Sequence, residues 1–172
     1  SKHLHIILAF PNTFYANLNP LGRFSHSEAV ANEVKLMMDP SADPYASPAV
    51  EVEPISFGAA DVKDLNRIQL MNAYSCTECG RCTDVCPANK TGKKLSPRKI
   101  MMDTRDRLEQ VGKQLDRGLE VDDKTLLDHH ISREELWACT TCNACVEACP
   151  ISIDPLSIIM DMRQYLVMEQ SS

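Results

Sequence analysis

Two cysteine runs decide the fold of this chain: Cys76-Thr-Glu-Cys79-Gly-Arg-Cys82-Thr-Asp-Val-Cys86-Pro87 and Cys139-Thr-Thr-Cys142-Asn-Ala-Cys145-Val-Glu-Ala-Cys149-Pro150. Each run has the spacing Cys-x2-Cys-x2-Cys-x3-Cys-Pro. Together the runs contain all 8 cysteines of the 172-residue chain. No thiol therefore remains for an ordinary core position or for a separate disulfide.

Runs with this spacing are typical of bacterial proteins that hold two iron–sulfur clusters. Cysteines at positions i, i+3 and i+6 allow one tight turn of backbone to direct three thiolates at three corners of a cube. The fourth cysteine is followed by a proline that redirects the chain, and in such proteins it ligates the other cluster. We therefore predict two [4Fe–4S] clusters with crossed ligands. Cluster 1 is assigned Cys76, Cys79, Cys82 and Cys149, and cluster 2 is assigned Cys139, Cys142, Cys145 and Cys86.

Two other uses of cysteine fit these runs less well. Structural zinc is bound by Cys-x2-Cys pairs, but four thiolates complete its tetrahedral site, so zinc does not require the triple pattern followed by Cys-Pro. A disulfide scaffold is typical of short secreted chains, whereas this chain has 172 residues and is 44% hydrophobic. The alternative that remains is a structural zinc-binding interaction module.

Charge and hydropathy restrict the class of partner. The net charge is −6, from 18 basic and 24 acidic residues, which argues against nucleic acid. No apolar run approaches the roughly 20 residues needed to cross a bilayer. The length predicts one domain, or one domain with an extended arm.

Residues 1–56 are predicted to form an irregular N-terminal arm. The apolar stretch Ser1–Phe10 is expected to lie against a membrane or to extend a preceding membrane helix. His3 and His5 are expected at the surface, with haem ligation as the alternative. Prolines, asparagines and a glycine in Pro11–Phe24 predict turns.

The rest of the arm is predicted to contain one short helix and a linker. Ser27 is a suitable cap for a helix that runs to about Met38. Asp39–Pro54 contains four prolines, which predict an extended segment.

Residues 57–172 are predicted to form the cluster domain. A helical pattern begins at Asp61, with Val62, Leu65 and Ile68 on its apolar face, and leads into the first run. Three lysines in Ala88–Leu95 predict an exposed basic loop suited to an acidic redox partner.

Local cap signals predict the other helices of this domain. Ser96-Pro97 starts a helix that runs to about Leu115, near which Gly118 is expected to end it. The Ser132–Glu135 capping box starts a short helix that leads into the second run. Asp154-Pro155 starts a final helix that runs to about Met168. The charged segment Leu119–His130 is expected to be a solvated connector with His129 and His130 exposed.

The chain contains an internal repeat beyond its cysteines. Tyr74 and Trp137 each stand two residues before a first cysteine, and the helices after the two runs align from Pro97 and Pro155. This alignment pairs Asp103 with Asp161 and Arg105 with Arg163. We expect surface ion pairs for these residues, with hydrogen bonds near the clusters as the alternative. The repeat predicts two pseudo-symmetric halves, each a helix–cluster–helix unit.

Residues 57–169 resemble the α-helical ferredoxin family, which includes the C subunits of heterodisulfide reductase and of anaerobic glycerol-3-phosphate dehydrogenase, and the iron–sulfur domain of succinate dehydrogenase. The resemblance is most specific in Phe57-Gly58, in Ser75–Asn89 around the first run, and in Thr91-Gly-Lys-Lys-Leu-Ser-Pro97. These segments are similar to bacterial membrane iron–sulfur oxidoreductases in which a haem-b domain, like the nitrate reductase γ subunit, precedes the two-cluster module. The resemblance implies a mainly α fold.

The same resemblance implies a function in electron transfer. We expect a relay of single electrons between a soluble flavoprotein or dehydrogenase and a membrane haem-b and quinone system, at the cytoplasmic face of the membrane. It further implies a part of an oxidoreductase rather than a self-contained enzyme, with haem b only in a preceding membrane domain. Arg81 lies beside Cys82 where the second run has Ala144, so cluster 1 is predicted to have the higher reduction potential.

Overall fold

The fold is known from a computed structural model that describes residues 3–20 and 57–171, and also Ala31, Val34, Lys35, Met37 and Met38. Regular structure in these parts is helical, apart from an isolated bridge between Leu127 and Ile131. The mainly α fold expected from the sequence is confirmed. The helices are α1 (Leu4–Phe14), α2 (Arg67–Ser75), α3 (Arg81–Asp84), α4 (Pro87–Lys90), α5 (Pro97–Asp116), α6 (Leu126–His129), α7 (Arg133–Ala138), α8 (Ala144–Glu147) and α9 (Pro155–Met168).

Helix α1 shows that the prediction of turns from Pro11 onward is wrong up to Phe14. Pro11 lies inside the helix, although a proline in a helix interior costs about 3 kcal/mol or more. Tertiary contacts offset this cost, because α1 packs against α2 and the buried Asn12 donates a hydrogen bond to the carbonyl of Ile151 at 2.8 Å. The first part of the arm is thus a helix docked on the cluster domain.

Part of the helix predicted from Ser27 to Met38 is observed. Its five described residues are all helical, and Val34, Met37 and Met38 are exposed. The Ser27 cap and the linker predicted at Asp39–Pro54 lie outside the described residues. In the parts that are described, no helix combines the length and the apolar character needed to cross a bilayer.

Helix α2 begins at Arg67, so the prediction of a helix from Asp61 is wrong. The start is fixed by a capping box in which Asn66 accepts from the backbone N–H of Gln69, and the Gln69 side chain accepts from the backbone N–H of Asn66. Residues 61–65 instead form turns, because the Asp64 carboxylate accepts from the backbone N–H groups of Ala60 and Asp61.

The buried face of α2 also differs from the prediction. Ile68 is 44% exposed, whereas the polar Gln69 and Asn72 are buried. Gln69 Nε2 donates to the carboxylate of Asp161 on α9 at 2.5 Å. The buried face of α2 is therefore determined by a specific polar partner and not by the periodicity of its apolar residues.

Gly58 is the point where the chain before α2 approaches α9. Its φ is +95°, and an ideal Cβ there would lie 2.3 Å from the carbonyl oxygen of Asp161 and 2.4 Å from the backbone nitrogen of Tyr165. The next residue, Ala59, donates its N–H to the same Asp161 carbonyl at 3.0 Å. Only glycine permits this approach.

The predicted helix caps are confirmed. Ser96 accepts from the backbone N–H of Lys99, Asp154 accepts from that of Ser157, and Ser132 forms the expected capping box. Helix α5 ends close to the predicted position, and Gly118 follows it with φ +65°. These caps are local, which explains why the sequence predicted them.

The prediction of a solvated connector at Leu119–His130 is wrong for its central part. Leu126 and Leu127 are buried, and of the two histidines predicted to be exposed, His129 is exposed whereas His130 is half-buried. The segment is held to the core by the fully buried Arg107 of α5.

Arg107 joins three parts of the chain. Its guanidinium donates two hydrogen bonds of 3.0 Å to the Asp61 carboxylate and one of 2.6 Å to Asp122, and it also donates to the backbone carbonyl of Lys124. Asp61 additionally accepts from the backbone N–H of Leu126 at 3.1 Å. The ion pair therefore fixes the residues before α2 against those after α5.

Candidate iron–sulfur site

The two cysteine runs lie beside each other, with α3 in contact with α8. One cavity between them is lined by Cys76, Cys79 and Cys82 of the first run together with Cys145 and Cys149 of the second. On the other side, Cys139 is close enough to Cys86 and Cys142 for their charges to raise its pKa. The structure thus places Cys145 and Cys149 beside the first run, where Cys149 acts on the pKa of both Cys76 and Cys82. It places Cys86 beside Cys139 of the second run.

Burial raises the pKa of four of the cysteine thiols. Loss of solvation is the largest cause of the raised pKa of Cys76, Cys82 and Cys139. Burial, with the nearby charges of Cys139 and Asp154, raises the pKa of Cys145 to about 12. Iron removes the protons of coordinating thiols, so the sulfur-only donor set fits an iron–sulfur cluster.

The backbone of both runs repeats the same left-handed residues. Glu78 and Thr141 come two residues after the first cysteine with φ of +59° and +55°, and Gly80 and Asn143 follow the second cysteine with φ of +86° and +59°. Such residues turn successive backbone N–H groups inward, a concavity that binds anions and iron–sulfur centres. The N–H of Thr141 donates to Cys139 Sγ at 3.4 Å, and an equivalent bond from Glu78 lowers the pKa of Cys76.

The fourth cysteine of the first run occupies a distinct position. Cys86 is buried, has an extended backbone and precedes α4, whose first residue is Pro87. The proline thus starts a new helical turn immediately after Cys86.

The expectation of surface ion pairs is wrong for Arg163, and the alternative of hydrogen bonds near the clusters holds. Its guanidinium donates to the carbonyl of Leu136 at 3.0 and 2.5 Å and to that of Cys139 at 2.5 Å. Both carbonyls lie at the end of α7, and that of Leu136 also accepts from the backbone N–H of Cys139 at 3.2 Å. Arg163 also stacks 5.1 Å from the ring centroid of Trp137, and its charge lowers the pKa of Cys139.

Arg105, the repeat partner of Arg163, reaches the first run by another contact. It pairs with Glu78 at 2.5 Å, both side chains are largely shielded from solvent, and its charge lowers the pKa of Cys76. The sequence repeat indicated that the two arginines are equivalent. It did not indicate Glu78 as a partner, because the second run has Thr141 there.

The aspartates of the repeat also differ in their contacts. Asp103 pairs with Lys99 at 2.8 Å, and Lys99 pairs in turn with Glu135 at 2.8 Å. Asp161 accepts from Gln69, as described above.

Of the histidines in the arm, His3 is exposed and His5 is half-buried.

The comparison with protein families gives the class of this protein. Residues 75–153 match the family model described as a 4Fe-4S dicluster domain. The matched segment covers a little under half of the chain and contains all eight cysteines, and it is similar to ferredoxin-like proteins that carry this domain. The family match and the eight cysteines define an electron-transfer module with two [4Fe–4S] clusters.

Particular relatives support the same class. The chain is 29% identical to the probable iron-sulfur-binding oxidoreductase FadF of Bacillus subtilis, over 99% of the chain and 26% of the relative. It is 30% identical to the EtfAB:quinone oxidoreductase of Syntrophomonas wolfei, over 96% and 26%. It is 32% identical to a probable membrane-anchored ferredoxin of Chromohalobacter salexigens, over 67% and 19%.

These comparisons confirm the resemblance but leave most of each relative uncovered. C subunits of heterodisulfide reductase are also among the matches, as the sequence predicted. No solved structure matches the chain significantly. The chain spans about a quarter or less of the length of the three relatives named above.

Proposed function

We propose that the chain relays single electrons through two [4Fe–4S] clusters whose ligands are crossed between the runs. The observation that carries this proposal is the position of Cys149, which belongs to the second run but lies close enough to both Cys76 and Cys82 of the first run for its charge to raise their pKa. Bound clusters supply one-electron chemistry, and the chain supplies thiolates, backbone N–H donors and shielding from water. The proposed ligands are Cys76, Cys79, Cys82 and Cys149 for cluster 1, and Cys139, Cys142, Cys145 and Cys86 for cluster 2.

The proposed partners are a soluble flavoprotein or dehydrogenase and a membrane haem-b and quinone system. The name of one relative, EtfAB:quinone oxidoreductase, supports an exchange between a protein carrier and quinone. The name of another, a probable membrane-anchored ferredoxin, supports a location at a membrane, and the side that we propose is the cytoplasmic face.

Helix α1 adds structural support for the membrane location. Ile6, Ile7, Phe10 and Phe14 of this helix are each at least 60% exposed. Neighbouring exposed apolar side chains are typical of surfaces that meet a membrane or another protein.

The crossed ligands are tested with serine variants and EPR of the anaerobically reduced protein. Cys149→Ser is expected to alter the same cluster signal as Cys79→Ser, because both residues hold cluster 1 in our assignment. Cys86→Ser is expected to alter the signal that Cys142→Ser alters. If Cys149→Ser instead matched Cys142→Ser, each run would hold its own cluster and the crossed assignment would be wrong.

Metal analysis separates this function from the alternative of a structural zinc module. Anaerobically purified protein is expected to contain about eight iron and eight labile sulfide ions per chain, as two cubes require. Colourless protein with stoichiometric zinc and no EPR signal after reduction would identify the zinc module instead.

A further inference from the structure

The first cysteine run carries exposed positive charge at the opening of its cavity. Arg81 and Arg98 line this cavity together with the exposed Cys79. Both arginines are exposed, and in the parts of the chain that the structure describes neither forms a salt bridge. Asp84 is the exposed acidic residue of the same helix as Arg81. A net positive charge therefore remains at this opening.

The second run provides an internal comparison, because the repeat pairs its residues with those of the first. Arg81 corresponds to Ala144 and Arg98 corresponds to the buried Leu156, so both cations are replaced by apolar residues. Asp84 corresponds to Glu147, so the acidic residue is common to both halves. The corresponding positions of the second run therefore retain only the negative charge.

A loop that occurs only in the first half extends the positive charge. The segment from Pro87 to Pro97 is five residues longer than its counterpart between Pro150 and Pro155. Lys90 and Lys93 of this loop are exposed, whereas Lys94 is paired with Glu134 at 2.6 Å. The cations thus lie together on one half of a chain whose net charge is −6.

From this asymmetry we infer that an acidic electron-carrying protein docks over Arg81 and Arg98 and exchanges electrons through cluster 1. The inference rests on the proposed function, and it assigns a surface and a charge to one of the two partners. The overall negative charge repels an acidic protein from most of the surface, while the local positive patch attracts it. Such a field orients the encounter and raises the association rate by roughly 10- to 1,000-fold.

The docking site is tested with small redox probes of opposite charge. The reduced protein transfers one electron to the anion Fe(III)–EDTA or to the cation tris(phenanthroline)cobalt(III), and each metal is reduced to its divalent state. In the Arg81→Gln/Arg98→Gln variant, the rate with the anion is expected to fall about 3- to 10-fold at about 10 mM salt, and the rate with the cation is expected to rise. Both changes are expected to shrink near 1 M salt, where the Debye length is about 3 Å.

A control variant removes the same charge far from the cavity. Lys113→Gln/Arg117→Gln changes residues at the other end of α5, roughly 20–30 Å from Arg98 at 1.5 Å per helical residue, and is expected to leave both rates nearly unchanged. A polyglutamate peptide, as a mimic of an acidic protein surface, is expected to slow the reaction with the anion in the wild type but not in the Arg81→Gln/Arg98→Gln variant.

The signs of the two rate changes separate docking from an effect on the reduction potential. If the loss of the two cations lowered only the reduction potential, the reduced protein would become a stronger reductant and would react faster with both probes. Parallel changes, equal effects of the control variant, or no effect of polyglutamate would overturn the inference. Wild-type protein that lacks iron and sulfide would overturn the proposed function as well, so the two failures are distinguishable.

Discussion

Replacement of Gly58 by alanine tests whether the close approach to α9 holds the cluster domain together. Two costs are expected. The first is the left-handed backbone, with φ of +95°, which costs an alanine about 1–2 kcal/mol. The second is steric, because a Cβ would lie 2.3 Å from the Asp161 carbonyl oxygen and 2.4 Å from the Tyr165 backbone nitrogen.

The steric cost can be isolated with Gly92→Ala. Gly92 has a similar φ of +81°, but a Cβ there meets no atom within 4 Å, so this variant has only the backbone cost. In Gly58→Ala the chain must move away from α9, which loses the hydrogen bond from Ala59 to Asp161. That loss contributes about 0.5–1.5 kcal/mol and the displaced packing about 1–3 kcal/mol. The difference between the variants is therefore about 1.5–4.5 kcal/mol.

The assay is the rate of cluster loss in denaturant under anaerobic conditions, followed by visible absorbance and circular dichroism. Proteins with bound metal clusters unfold irreversibly, so a rate is the appropriate measure. At about 1.4 kcal/mol per factor of ten, Gly58→Ala should lose its clusters between about 10 and 1,000 times faster than Gly92→Ala. Equal rates in the two variants would show that the approach of Gly58 to α9 does not stabilise the domain.

Three further predictions concern charged residues. Arg107→Met is expected to destabilise the chain by about 3–5 kcal/mol because it leaves Asp61 without its buried partner. The rate of cluster loss in denaturant should rise steeply in Arg107→Met and much less in Arg133→Met, which breaks an exposed pair. Arg107 lowers the pKa of Asp122, so Asp122→Asn should be less stable than wild type above the usual aspartate pKa of about 3.9, and this difference should vanish as the pH falls through the lowered pKa. Redox-titrated EPR should show that Arg81→Ala lowers the potential of cluster 1, and an unchanged potential would contradict the role of this charge.

The sequence predicted the parts of the fold that depend on neighbouring residues. Ser96, Ser132 and Asp154 cap their helices as expected, because a cap requires only a suitable side chain next to a helical segment. Two turn positions inside the cysteine runs also depend on local residue types. Gly80 and Asn143 have a left-handed backbone, which glycine and asparagine tolerate.

The sequence did not predict contacts between distant segments. The burial of Gln69 depends on the carboxylate of Asp161, 92 residues away, and the helix around Pro11 depends on the docking of Asn12 onto Ile151. In both cases a distant partner outweighs the local preference of the residue. The connector after α5 was mispredicted for the same reason. Its charged composition predicts exposure to solvent and does not indicate an ion pair with Arg107.

The two halves share a backbone plan but differ in how positive charge reaches each cysteine run. At the first run, Arg105 is compensated by Glu78, so the exposed Arg81 and Arg98 are the cations left to act on cluster 1. At the second run, the half-buried Arg163 contacts carbonyls and the Trp137 ring, and in the described contacts it is not compensated by a carboxylate. At equal distance, a charge in a medium of effective dielectric constant about 20 acts roughly four times as strongly as one in water. Arg163 therefore raises the potential of the second cluster and opposes the effect of Arg81 on the difference between the two potentials.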